Sequence, residues 1–321
     1  MYNKIIITTF AIAFLVGISG VAQAASIGPA EKYNPQVDPA EFSTNINNPY
    51  FSVTIGQKMV YEGQTPKGKE RVEILVPGWT AKVAGVETLI YWDKVYLNDV
   101  LIEDTRDYLA QSKNGDVWYF GEHSDSYENG KLKDHHGSWL AGVNGGKPGI
   151  WMVANPQVGD EFRNEYLKGQ AEDRSKILAL NEPVTVQFGS FTGCVKTFES
   201  TPLEPAKTEN KYYCKQIGST ALEVDLPSPE EKVAGKSELI SVDLKGALGT
   251  ALPAAYASEG VIASSQSGSQ TSYVGGEKDV NDNEREDSGG WLGIIISGLV
   301  GLVGGVLIQK FVLGKPDSRI S

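Results

Sequence analysis

Cysteine and histidine are both scarce: 321 residues carry two of the first and three of the second. The two cysteines, Cys194 and Cys214, do not form the CxxC of a redox or zinc pair. No Asn-x-Ser/Thr acceptor occurs, which favours a prokaryotic source over a eukaryotic secretory route. The strained G-x-S-x-G turn that exposes a hydrolase serine is missing. GVNGGKPG (142–149) lacks the G-x-G-x-x-G spacing of a dinucleotide loop and reads as a turn. Positive charge is in deficit as well. A net charge of −11 argues against nucleic acid and against anionic lipid surfaces as partners.

Helical periodicity is also nearly absent before Lys245. Short runs of Val, Ile, Tyr, Trp and Thr alternate with polar residues instead, as in QKMVYEG, KERVEILV, ETLIYWDKVYL and DVWYFGEHSDSYE. GIWMV, EFRNEYL, RSKILAL, GCVKTFES, KYYCKQI, TALEV and SELISV continue the pattern. Many short strands joined by close turns imply an all-β antiparallel meander, curled or closed into a partial barrel, rather than βαβ units. Trp118, Phe120, Trp139 and Trp151 read as core aromatics rather than a carbohydrate platform.

The ends carry the long apolar runs. MYNKIIITTFAIAFLVGISGVAQAAS has an early cation, an apolar centre and Ala22-Gln23-Ala24, the pattern of a cleaved secretory signal. No cysteine follows it to accept a lipid. Trp291 to Ile308 holds no charge over 18 residues, just enough helix to cross about 30 Å of hydrocarbon. Acidic EREDSGG precedes it, while Lys310, Lys315 and Arg319 follow, placing the body outside and the tail in the cytoplasm. Gly293, Ser297, Gly301 and Gly305 form a small-residue stripe through which two such helices could pair, a route to a homo-oligomer. The expected order is a signal peptide (1–24), an extended lead-in (25–49) and an exterior β domain (50–245). A flexible stalk (246–290), a C-terminal transmembrane helix (291–309) and a cytoplasmic tail (310–321) complete it.

Outside the membrane a disulfide persists. Cys194 and Cys214 stand at equal distances from Glu204, inside the Pro-punctuated TPLEPAKT, so a hairpin centred there brings them opposite each other.

NPYFSVTIGQKMVYEG (48–63), VWYFGE (117–122), YENG (127–130) and GSWLAGV (137–143) resemble a family of uncharacterised secreted prokaryotic proteins. PGIWMVANPQVGDEFRNEYLKGQAED (148–173), Leu203-Glu204-Pro205 and Lys211-Tyr212-Tyr213 extend the resemblance over nearly the whole exterior domain. It implies one coherent secreted domain and assigns no functional residue. The histidine-bearing hairpin and the C-terminal span depart from it.

That hairpin, EHSDSYENGKLKDHHGSW (122–139), holds all three histidines around Asn129-Gly130, a strong two-residue turn signal. Facing positions then sum to 259, pairing Tyr127 with Leu132, Asp125 with Asp134 and His123 with His136. His135 points away with Ser124. Treating Asn114-Gly115 and Asn98-Asp99 as two-residue turns extends the count across four strands. It aligns Asp93, Asp104, Asp125 and Asp134, beside Tyr91, Arg106, His123 and His136. Carboxylates directly opposite one another are in conflict. Protonation, pairing with Arg106 and protonated histidine, or a bound cation could each relieve it. Two imidazoles with two carboxylates suit a divalent transition metal, Zn²⁺, Cu²⁺ or Mn²⁺, better than Ca²⁺. No cofactor is otherwise implied, and nothing identifies an exterior partner. The functional expectation is a membrane-anchored extracytoplasmic domain with a non-catalytic binding or structural role. The alternative is a metal-binding protein, with a metal-dependent hydrolase as one form of it, using His123, His136, Asp125 and Asp134.

Overall fold

The computed structural model describes residues 32–228 and 235–251. The expected signal segment, the expected transmembrane helix with its Gly293–Gly305 stripe, the expected tail and most of the expected stalk lie outside these residues. No helix among the described residues is long and apolar enough to cross a membrane.

Seventeen strands make one antiparallel sheet, and no α-helix occurs among the described residues. After a 3-10 turn at Pro39–Glu41 come β1 (Phe42–Ser43), β2 (Lys58–Thr65), β3 (Gly68–Leu75), β4 (Thr80–Val83) and β5 (Val86–Leu97). Next are β6 (Val100–Ser112), β7 (Val117–Glu128), β8 (Lys131–Asp134), β9 (Trp139–Leu140), β10 (Lys147–Met152) and β11 (Glu161–Arg163). The last are β12 (Glu165–Tyr166), β13 (Arg174–Val186), β14 (Gly189–Ser200), β15 (Thr208–Cys214), β16 (Ser219–Asp225) and β17 (Lys236–Asp243). Neighbours in sequence pair through hairpins from β13 to β17, and likewise from β5 to β8. β17 then pairs with β2, from Lys236 opposite Gln64 to Asp243 opposite Lys58. On the other side β7 pairs with β10, β10 with β12, and β11 with β13. The result is a nearly closed, barrel-like sheet, as the strand pattern led one to expect.

Turn chemistry sets the registers. Asn98, Asp99, Asn129 and Gly130 all have positive φ, the conformation a two-residue type I′ hairpin demands. The hairpin of β14 and β15 is centred on Glu204, with Ser200 opposite Thr208 and Val195 opposite Tyr213. Cys194 and Cys214, the next facing pair, form the disulfide and are fully buried.

Aromatic residues fill the barrel. Phe51, from the segment before β2, lies 5.5 Å from the Tyr91 ring and 5.3 Å from that of Trp151. Tyr119 packs edge-on against both Trp139 and Trp151. Phe120, Trp139 and Trp151 are buried, and Trp118 is partly so, packed edge-on to Phe42 of β1. On the opposite face of the sheet, the buried Trp79 and Trp92 rings lie 5.1 Å apart, tilted by 36°.

Three bulges break the simple pairing count. Between β5 and β6, Tyr96 faces Leu101 but Val95 faces Glu103, so Ile102 is the extra residue. Asp93 therefore faces Thr105, not Asp104. Between β7 and β8, Tyr127 faces Leu132 as expected, but Ser126 faces Asp134, leaving Lys133 extra. Asp134 thus leaves the Asp125 line. The turn at Asn114-Gly115 has three residues, with Ser112 N–H donating to the Asp116 carbonyl at 2.9 Å. Facing positions there sum to 228, as in Leu109 opposite Tyr119. A further irregularity at Gly121 restores 229, so Asp104 does face Asp125 and Arg106 does face His123. Gly121 has φ +133°, and a Cβ there would stand 2.4 Å from the Trp139 carbonyl oxygen of β9. Only glycine lets β9 approach so closely.

Candidate functional site

Two clusters of charged side chains occupy opposite faces of β5, β6 and β7. On the outer face, Arg106 is buried and forks between two carboxylates. Its Nη1 donates to Asp104 Oδ1 at 2.9 Å and its Nη2 to Asp125 Oδ2 at 3.2 Å. Asp104 also accepts from Trp92 Nε1 at 2.6 Å and pairs with Lys94 at 3.3 Å, while Lys94 caps the Trp92 ring at 4.2 Å. A buried guanidinium needs such paired, hydrogen-bonded anions to offset its desolvation.

The fork leaves Asp125 Oδ1 turned toward imidazoles. His135 Nδ1 lies 2.6 Å from it and His123 Nε2 3.5 Å. The two imidazole rings meet edge-on at 5.4 Å between centroids. Asp125 is nearly buried, His123 is partly exposed and His135 is half exposed at the protein surface. Ligand atoms of His123, Asp125 and His135 all lie within 4.8 Å of one another.

The expected metal set is therefore regrouped. His123 and Asp125 are together; His136 and Asp134 are not with them. Asp134 Oδ1 instead accepts the backbone N–H of His136 at 3.1 Å. His135, expected on the opposite face with Ser124, comes to Asp125, where Asp134 was expected, because the extra Lys133 shifts the residues after it by one. Asp93 and Tyr91, expected beside Asp104 and Arg106, are turned to the inner face by the bulge at Ile102.

That inner face is acidic. Asp93 is fully buried, and neither of its oxygens has a hydrogen-bond partner among the described residues. The same holds for both oxygens of Glu122. Asp107 receives the Tyr119 hydroxyl at 2.6 Å on one oxygen, and Glu165 receives Trp139 Nε1 at 2.9 Å on one of its own. Burial, first, pushes the Asp93 carboxyl well above its ordinary range, and the charges of Glu103, Asp107 and Glu122 add to the effect. Glu122 is raised likewise by burial, then by Glu165, Asp107 and Glu103, against the opposing pull of the nearby Tyr119 hydroxyl. Burial also raises Asp107, against the opposing pull of its Tyr119 hydrogen bond, Arg106 and Lys211. Burial takes Glu165 up to about 8 although the Asp173 backbone and Trp139 donate to it.

Across the barrel, on β15, Lys211 is buried completely. Its Nζ stands 3.2 Å from Glu199, 3.3 Å from Glu209 and 3.5 Å from Glu223. Burial alone would depress its ammonium, but these three carboxylates push it well above the ordinary lysine value. None of the interior groups apart from Asp93 and Tyr91 was singled out from sequence. Asp107 and Glu122 face each other under the same count of 229 that pairs Asp104 with Asp125, so their meeting was within reach. Glu165 and Lys211 come from distant strands and gave no local signal.

The hydroxyls near the histidines are engaged elsewhere. Thr105 Oγ1 donates to Ser124 Oγ at 2.9 Å, and Ser138 Oγ donates to the Ser124 carbonyl and accepts its N–H. Neither serine hydroxyl bonds to an imidazole, the contact a nucleophile would need.

No family model and no curated protein matches the chain. Among solved structures it is similar to one described as a "putative lipoprotein from Parabacteroides distasonis ATCC 8503". Identity is 10%, the match covers 60% of this chain and 98% of that one, and the TM-score is 0.35. A likeness that slight carries no functional argument.

Proposed function

We propose that this chain is a membrane-tethered, extracytoplasmic binding domain without catalytic activity, and that its ligand contacts the acidic interior of the barrel. The observation that carries the reading is the pair Asp93 and Glu122: two buried carboxylates, the first with no hydrogen-bond partner among the described residues and the second with only the shared Tyr119 hydroxyl near it. Buried polar atoms of this kind cost free energy unless something hydrogen-bonds to them. A barrel kept only for its shape would be more stable with apolar residues at both positions. Carboxyls raised by burial and gathered on one face are the kind of cluster that binding sites hold. A small cation rich in hydrogen-bond donors would satisfy these oxygens and, by displacing their protons, stabilise the ionised carboxylates. The buried Cys194–Cys214 disulfide suits an oxidising exterior compartment.

The test uses the full chain in detergent, followed by thermal unfolding with spermidine, putrescine or arginine added. A concentration-dependent rise in the midpoint is expected, abolished by Glu122→Gln combined with Asp93→Asn. If no cationic solute moves the midpoint of the parent chain, the interior is a structural network and the reading fails.

A further inference from the structure

We infer that His123 Nε2, Asp125 Oδ1 and His135 Nδ1 form a binding site for a divalent transition metal on the outer face of the barrel. The site is independent of the interior binding surface and of where the chain resides.

Geometry is the first support. A tetrahedral ion with bonds of about 2.1 Å holds its ligand atoms about 3.4 Å apart. The His123–Asp125 separation is 3.5 Å, and all three ligand atoms fall within 4.8 Å. His135 sits closer to Asp125, at 2.6 Å, the separation of a hydrogen bond that an ion would replace. Its ring is half exposed just beyond β8, where a movement of under an ångström disturbs no packed core. His123 and Asp125 are fixed on β7.

Donor chemistry is the second support. Two neutral imidazoles and one carboxylate favour Zn²⁺ or Cu²⁺, and accept Mn²⁺, while Ca²⁺ and Mg²⁺ prefer oxygen throughout. Exposure of His135 leaves the remaining coordination positions open to water or to a group from solution.

The supporting shell is the third. Arg106 holds Asp125 Oδ2, so the carboxylate presents Oδ1 alone to the ion. Asp104 holds Arg106 in turn, and Trp92 holds Asp104. Outer-shell partners of this kind orient a ligand and tune its affinity. Arg106 and Lys94 would repel a dication, but Asp104 and Asp125 balance those two charges, so the incoming ion meets a formally neutral neighbourhood. The chain as a whole carries −11.

The experiment is equilibrium dialysis of the full chain, prepared without a polyhistidine tag, against Zn²⁺, Cu²⁺ and Mn²⁺, with bound metal counted by mass spectrometry. One ion per chain is expected for Zn²⁺ or Cu²⁺. His135→Ala should weaken it at least about tenfold, and Asp104→Asn about tenfold to a hundredfold through the outer shell. His136→Ala and Glu122→Gln should leave it unchanged. With Cu²⁺ bound, electron paramagnetic resonance should show two nitrogen ligands in the parent and one in His135→Ala, which is exposed enough to fold normally. Substoichiometric binding, metal lost with His136→Ala but kept with His135→Ala, or metal lost only with Glu122→Gln would each overturn the site.

Discussion

Glu165 is pushed up to about 8, and Glu70 and Glu209 up to about 7, in each case first by burial. In an unfolded chain such a carboxyl titrates near about 4.3. Between those values the folded chain holds protons that the unfolded chain has released, so folding stability falls as pH rises. The contribution is complete below about pH 4 and disappears as pH passes through 7 to 8. This domain is therefore expected to be more stable at mildly acidic than at mildly alkaline pH. A loss of about 2 kcal/mol across that window would lower the thermal midpoint by about 4–8 °C. Melting curves of the full chain at pH 5 and pH 8.5 check the sign. Glu122→Gln, which cannot ionise, should flatten the dependence, and a midpoint that rises with pH would show that the interior carboxyls are ionised and paired instead.

The bulges of β5 to β8 decide which residues meet. Gly121 is the pivotal one, since a side chain there collides with the Trp139 carbonyl and must also adopt a φ of +133°. Gly121→Ala is expected to cost about 1–3 kcal/mol, the strain of an unsuitable backbone region, and to loosen β9 from β7. Urea unfolding reports the cost, and hydrogen exchange at the Ala141 amide, which donates to the Phe120 carbonyl, reports the loosening. A variant as stable as its parent would mean that β9 is not held by this approach. These elements also show what the sequence could and could not convey. Tyr127 opposite Leu132 and Cys194 opposite Cys214 followed from turn position alone, because no bulge lies between turn and pair. Asp104 opposite Asp125 came out as counted, through two departures that cancel, a longer turn and an extra residue at Gly121. Asp93 and Asp134 were misplaced by single inserted residues, Ile102 and Lys133, whose types carry no mark of a bulge. The exchange of His136 for His135 has the same cause. The interior acids were hidden for another reason: a face is acidic only when strands remote in sequence, bearing Glu165 and Lys211, close around it.

At the scale of the molecule, the disulfide and the apolar C-terminal run bear on where the domain works. The chain is expected in the membrane fraction, with Cys194 and Cys214 resistant to alkylation until reductant is added. Ending it after Gly290 should move the β domain to the soluble exterior fraction almost completely. Cell fractionation with maleimide labelling reads both outcomes; thiols that label without reductant, or a truncated chain still in the membrane, would contradict the proposed topology.

The seam between β2 and β17 joins the first long strand to the last, with Lys58 beside Asp243. An emerging chain therefore carries β2 with one edge bare until nearly all of the domain has been made. Contacts so distant in sequence form late and slowly. Until β17 arrives, the exposed edge can be taken by a neighbouring chain. Assembly is thus gated by its final strand. A chain stopped after Asp225 retains most of its residues yet offers β2 and β16 as two open edges, and it would be expected to associate rather than to close.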